Sequence, residues 1–94
     1  MLKLIKVKGD SMQPCYRHND YLLISKPLFR SISVGDDVVC KHPGIGTIFK
    51  RINKIQDKKI ELKGLNMLSS NPSEIGVIRS QDIIGRVIWH FAAK

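Results

Sequence analysis

Cysteine is scarce: Cys15 and Cys40 are the two in 94 residues. That is too few to staple a secreted miniprotein, and the expectation is reduced thiols in a cytoplasm. Long apolar runs are missing as well. None exceeds the four residues of Tyr21-Leu22-Leu23-Ile24, too short for a membrane-spanning helix. From Met1 to Lys8 charges interleave with apolar residues, so this stretch resembles neither a signal peptide nor a membrane anchor. Aromatics make up 6%, and no block of five or six like charges occurs, which weakens a basic-tail reading. No internal repeat or low-complexity tract is visible. The length excludes a multidomain enzyme and fits one domain, 1–94, around a modest core.

What is present is ordinary globular material: 43% apolar and 26% charged, which excludes a disordered chain. Lys and Arg outnumber Asp and Glu 16 to 8, a formal charge of +8 that keeps polyanionic partners in play. Turn formers at Lys8-Gly9-Asp10, His18-Asn19-Asp20, Gly35-Asp36-Asp37, His42 to Gly46, Gly64 to Asn66, Asn71-Pro72 and Gly85 cut the chain into short segments. Tyr21 to Ile24, Asp37 to Cys40, Thr47 to Ile55, Lys59 to Lys63 and Ile83 to Phe91 are rich in β-branched or aromatic residues and predict strands. A hairpin is predicted around Asp57, with Ile60 and Leu62 on the buried side of its second strand. The best helical candidate is one short turn from Met12 to Arg17. The predicted fold is therefore all-β, a small, coiled, barrel-like body with at most that short turn.

Two features carry chemistry. Gly9-Asp10-Ser11-Met12-Gln13-Pro14 sets a serine on a tight turn whose backbone N–H groups are not consumed by a strand ladder. Alone, the tract reads first as a β-turn or helix N-cap. The second feature is Lys50, which alternation places on the face of apolar Ile48 and Ile52, while Arg51 shares the other face with Phe49. The plain reading is that Lys50 snorkels to water. If it is enclosed instead, loss of hydration favours the neutral amine, which is a base. A serine needs such a partner to attack an amide at neutral pH, and a Ser/Lys pair is a recurrent solution.

Together these residues resemble the Ser/Lys-dyad serine peptidases of the type I signal peptidase and LexA-repressor self-cleavage class, over nearly the whole chain. The Gly9–Pro14 tract matches the family's Gly-Asp-Ser-Met-x-Pro nucleophile box. Asn19 to Ile24 and Gly35 to Val39 look like its two Gly-Asp strand boxes, and Phe49-Lys50-Arg51-Ile52 like its lysine box. The resemblance implies Ser11 as nucleophile and Lys50 as general base, with Gly9, Asp10, Met12 and Pro14 shaping the nucleophile turn and oxyanion hole. Some signal peptidases place a hole-forming serine where this chain has Gly9, so backbone amides, notably that of Ser11, must serve. Gly64 to Asn66 and Ser69 to Ser73 look like a degenerate downstream box. Ser70 would then orient the lysine, with Ser69 as the alternative. The family's acidic and arginine positions are Pro72 and Glu74 here, so that supporting ion pair is missing from the sequence.

Within the class, the short length and the ending Ile83 to Trp89 look most like the nickel-type superoxide dismutase maturation peptidases. This implies removal of a leader peptide from a precursor protein, nickel superoxide dismutase being the candidate, and a substrate with small side chains beside the scissile bond. A LexA-like repressor would need an upstream helix-turn-helix, for which ten residues leave no room. No cofactor is implied. A zinc site at Cys15, His18, Cys40 and His42 is disfavoured by the tight Cys-x-His spacing; Cys15 and Cys40 are expected to pack and His42 to sit in a loop. The alternatives are an inactive peptidase-like domain or a small basic β-barrel that binds nucleic acid through Tyr16, Tyr21, Phe29, Trp89 and Phe91. Trp89 and Phe91 are expected in the core, which counts against the nucleic-acid reading.

Overall fold

The computed structural model describes residues 2–9, 12–26, 32–65 and 76–92. Seven strands, β1 (Leu2–Lys6), β2 (Tyr21–Ser25), β3 (Asp37–His42), β4 (Gly46–Gln56), β5 (Lys59–Lys63), β6 (Val77–Arg79) and β7 (Ile83–Phe91), form one sheet in the order β1-β2-β7-β3-β4-β5-β6. Every pairing is antiparallel. The predicted all-β class holds, and the predicted ends of β5 and β7 coincide with the observed ones. Sequence reading missed β1, because its interleaved lysines were weighed only against a membrane segment. It also missed β6, whose three residues are too few to show alternation.

Neighbouring side chains on a strand point to opposite faces, and here each face carries its own core. Val38 packs with Cys40, Ile48, Ile52, Ile60 and Leu62, whereas Val39 packs with Val7, Leu22 and Ile24. Three register shifts, in the β2–β7, β3–β7 and β4–β5 pairings, coil the sheet between them, since an extra residue in one strand bends it and increases local twist. In β4 the extra residue is Asn53, as Ile52 faces Leu62 and Lys54 faces Glu61. The shift lets Ile55 join the cluster of Ile48 and Ile52 despite its odd spacing. The hairpin between β4 and β5 turns through Asp57 and Lys58, and Asp57 takes the positive φ, 57°, that the first residue of a two-residue hairpin loop adopts.

A similar shift overturns one expectation. Leu23 pairs with Trp89 but Ile24 with Val87, leaving Ile88 as the extra residue. Beyond it the parity of β7 reverses. His90 turns towards Leu22 and the interior, while Trp89 and Phe91, expected in the core, are 62% and 46% exposed.

Gly85 of β7 lies under the side chain of Ile24 of β2. A Cβ there would lie 2.7 Å from Ile24 Cδ1 and 2.9 Å from its Cβ and Cγ1. Ile24 is 1% exposed and has no room to retreat. Gly85→Ala is therefore expected to destabilise the fold by about 2 kcal/mol through overpacking. In thermal unfolding this should lower Tm by roughly 10 °C.

Candidate active site

The serine-bearing loop is tied off at its base. Val7 N–H donates to the Asp20 carbonyl at 2.7 Å and Asn19 N–H to the Val7 carbonyl at 2.8 Å, while Gly9 N–H donates to His18 Nδ1 at 2.9 Å. Gly9 has φ +89°, a conformation open to a residue without Cβ. Within the loop Tyr16 N–H donates to the Met12 carbonyl at 2.9 Å, closing the single short turn expected after the serine; the Gln13–Pro14 bond in it is cis. Met12, 1% exposed, anchors the turn from inside. Pro14 and Cys15 face outward, so Cys15 does not pack as expected. Asp10, Ser11, Ser69 and Ser70 lie outside the described residues, as does Phe29.

Lys50 sits where alternation placed it. Ile48, Lys50 and Ile52 are buried, and Phe49 and Arg51 between them are half-buried. Lys50 keeps 9% exposure, so it does not snorkel freely. Burial pushes its pKa below the ordinary lysine value, because enclosing an ammonium costs it hydration. Among the described residues Arg51 is ion-paired with Asp37 and Arg86 with Asp36, and the His90 ring contacts Asp20; none of these contacts involves Lys50. A cleft of about 150 Å³ is lined by Lys50 together with Gly9 and Met12, the residues that bracket Asp10 and Ser11 in the chain, and by Val7, Lys8, Thr47, Ile48 and Phe49. A neighbouring cavity of about 300 Å³ shares Val7, Thr47 and Phe49 with it and adds Ile5, Leu22 and Val39. Of the residues named from the sequence, Gly9, Met12 and Lys50 line this cleft and Pro14 does not.

A polar network that sequence reading missed holds the loop against β4. Arg51 donates to Asp37 from Nε at 2.6 Å and from Nη2 at 3.0 Å, and Tyr16 Oη donates to Asp37 Oδ2 at 2.6 Å. Asp37 is buried, so both donors compensate a carboxylate withdrawn from water. The Asp37 hydrogen bond raises the Arg51 pKa; burial, then the bond to Asp37, raises that of Tyr16. The Tyr16 ring meets Phe49 edge-on at 4.9 Å and His90 at 4.7 Å. His90 Nε2 lies 2.6 Å from Asp20 Oδ2, which also accepts the Arg17 N–H at 2.9 Å. Arg51, which alternation puts with Phe49 on the face opposite Lys50, is half-buried and ion-paired. A usable signal was there: Asp37 opens a strand that is otherwise Val38-Val39-Cys40, and a carboxylate so placed needs a partner.

Cys40 is fully buried and its thiol is pushed up to about 12, chiefly by burial, which makes it a poor nucleophile. His42 closes its own turn, its Nδ1 accepting the N–H groups of Gly44 and Ile45 at 3.0 and 3.1 Å. Among the described residues no group of three or more His, Cys, Asp or Glu is arranged to hold a metal ion, and no helix is long and apolar enough to cross a membrane.

The site thus sets a buried lysine, its pKa lowered by burial, in a small cleft with Gly9 and Met12 of the serine-bearing loop. No curated protein matches the chain. A family model described as Peptidase S24-like matches residues 1–88, spanning the nucleophile box, the lysine strand and nearly all of the sheet, and the chain belongs to that S24-like peptidase family.

Proposed function

We propose that the protein is a serine endopeptidase working through a Ser11/Lys50 dyad, a single peptidase domain that removes a leader peptide from a precursor protein in the cytoplasm. The observation that carries this reading is the cleft shared by buried Lys50 with Gly9 and Met12 on either side of the serine dipeptide. Neutral Lys50 takes the Ser11 hydroxyl proton as Oγ attacks the scissile carbonyl carbon, and backbone N–H groups of the nucleophile turn hold the oxyanion. The C–N bond then breaks, and the Lys50 ammonium gives its proton to the leaving amine. Lys50 next deprotonates a water that opens the acyl ester and returns the proton to Ser11. Ser70 or Ser69 orients the lysine. The subfamily resemblance supports nickel-type superoxide dismutase as the precursor, with small side chains beside the cleaved bond.

The test is to incubate the purified protein with the leader-bearing precursor and read the new N-terminus by mass spectrometry. Ser11→Ala is expected to slow product formation by on the order of 10⁴-fold with an unchanged thermal midpoint. Cleavage by Ser11→Ala at the parental rate would remove the dyad. Absence of cleavage by the folded parent would favour the inactive peptidase-like domain.

A further inference from the structure

The end of the sheet formed by β1, β2 and β7 is apolar on both faces. Its inner side carries Leu22 and Ile24, 0% and 1% exposed. On its outer side the register builds two rows rich in apolar side chains, Leu4–Leu23–Trp89 and Lys6–Tyr21–Phe91, beside a third, Leu2–Ser25–Arg86, whose arginine is paired with Asp36. Leu4 is 58% exposed, Trp89 62%, Phe91 46% and Tyr21 42%. A contiguous apolar surface of this kind on a small protein marks a contact site, whereas scattered exposed apolar residues do not.

The composition of the rows selects the occupant. Lys6 extends its Nζ over the Tyr21 ring, 5.8 Å from the centroid, so a cation stands among the aromatics. Neither row contains a carboxylate. A second copy laid face to face would bring lysine towards lysine and join two chains of +8 each, while Asp36, the carboxylate beside the rows, is already engaged by Arg86 of its own chain. A nucleic-acid strand would find three rings, those of Tyr21, Trp89 and Phe91, but Lys6 as the one cation in the two rows for its phosphates, and in Leu4 and Leu23 apolar area that neither base nor phosphate needs. Anionic lipid satisfies every part: indole and phenol rings settle at the headgroup level, leucines enter the acyl boundary, and lysine meets the lipid phosphates.

We propose that the outer face of β1, β2 and β7 docks on the surface of an anionic bilayer without spanning it. The contact is independent of the dyad, and it places the cleft close to the membrane, because β1 runs directly into Val7, Lys8 and Gly9 at the cleft wall.

Trp89 is the single tryptophan and reports on the face it occupies. The full chain is titrated with vesicles of phosphatidylglycerol and phosphatidylcholine, and with phosphatidylcholine alone. The expected results are a blue shift of Trp89 emission and co-sedimentation with the anionic vesicles. Lys6→Gln should weaken binding about fivefold, and Leu4→Ser combined with Trp89→Ser should abolish co-sedimentation while the sheet stays folded by circular dichroism. Three results would each overturn the proposal: no shift with anionic vesicles, a shift that follows protein concentration without lipid together with a dimer in sedimentation, or a shift produced by a single-stranded oligonucleotide but not by lipid.

Discussion

Lys50→Met is expected to lower kcat/KM by on the order of 10⁴-fold while leaving the protein at least as stable as the parent. Methionine nearly keeps the length of the buried stem and discards the amine, which on the proposed mechanism takes the proton from Ser11, passes it to the leaving group and then activates water. The stability half follows from the environment. Lys50 is 9% exposed between Ile48 and Ile52, and an apolar side chain there avoids the hydration lost by an ammonium. The pH dependence has a defined sign. Burial lowers the folded-state pKa below the ordinary lysine value of 10.5, so over the interval between the two the unfolded chain holds a proton that the folded chain has released. Stability from this group therefore rises with pH across that interval, is fully present above the unfolded value, and is lost as pH falls through the folded one. Denaturation midpoints of parent and Lys50→Met, compared across neutral to alkaline pH, should diverge in that sense. Activity of the parent should climb over the same range as the amine loses its proton. A flat pH–rate profile, or a Lys50→Met enzyme that cleaves normally, would remove Lys50 from the chemistry.

The second large effect concerns stability. Asp37→Ala is expected to cost about 3 kcal/mol, the low end of what breaking a buried ion pair costs, because the Arg51 side chain keeps 29% of its exposure and water recovers part of the loss. The substitution strands a guanidinium that donates twice to Asp37 and a phenol that donates once. A fall in Tm of about 12–24 °C should accompany it. Asp37→Asn retains the volume and one acceptor oxygen and should fall between parent and alanine variant. Since Asp37 links Tyr16 of the nucleophile loop to Arg51, the neighbour of Lys50, a double-mutant cycle of Tyr16→Phe with Asp37→Asn should give a coupling of about 1 kcal/mol. Additive effects in that cycle would show that the loop and β4 are held together by other contacts.

The inward placing of Lys50 was legible in its own strand. Alternation along Ile48, Phe49, Lys50, Arg51 and Ile52 needs no partner strand to interpret, so it placed the lysine among apolar side chains correctly. The Gly9–Pro14 tract fixed attention on one loop, and Gly9 and Met12 do line the cleft with Lys50. The network of Tyr16, Asp37 and Arg51 was not legible, because these residues stand 21 and 14 positions apart and no local pattern pairs them. Alternation gave the face of Arg51 but not its partner for the same reason: its environment comes from β3 and from the loop, not from its own strand.

Local sequence by itself determined that this chain would be short antiparallel strands, that Asp57 would turn one hairpin and that Lys50 would face inward, since those outcomes depend on side-chain period and on residues a few positions apart. The tertiary structure alone decided which face of β7 is wet. One extra residue at Ile88, defined only by the register against β2, reverses the alternation, sending Trp89 and Phe91 out to solvent and bringing His90 in to Asp20 and Tyr16. A strand carries its period in its own residues, but a bulge belongs to a pair.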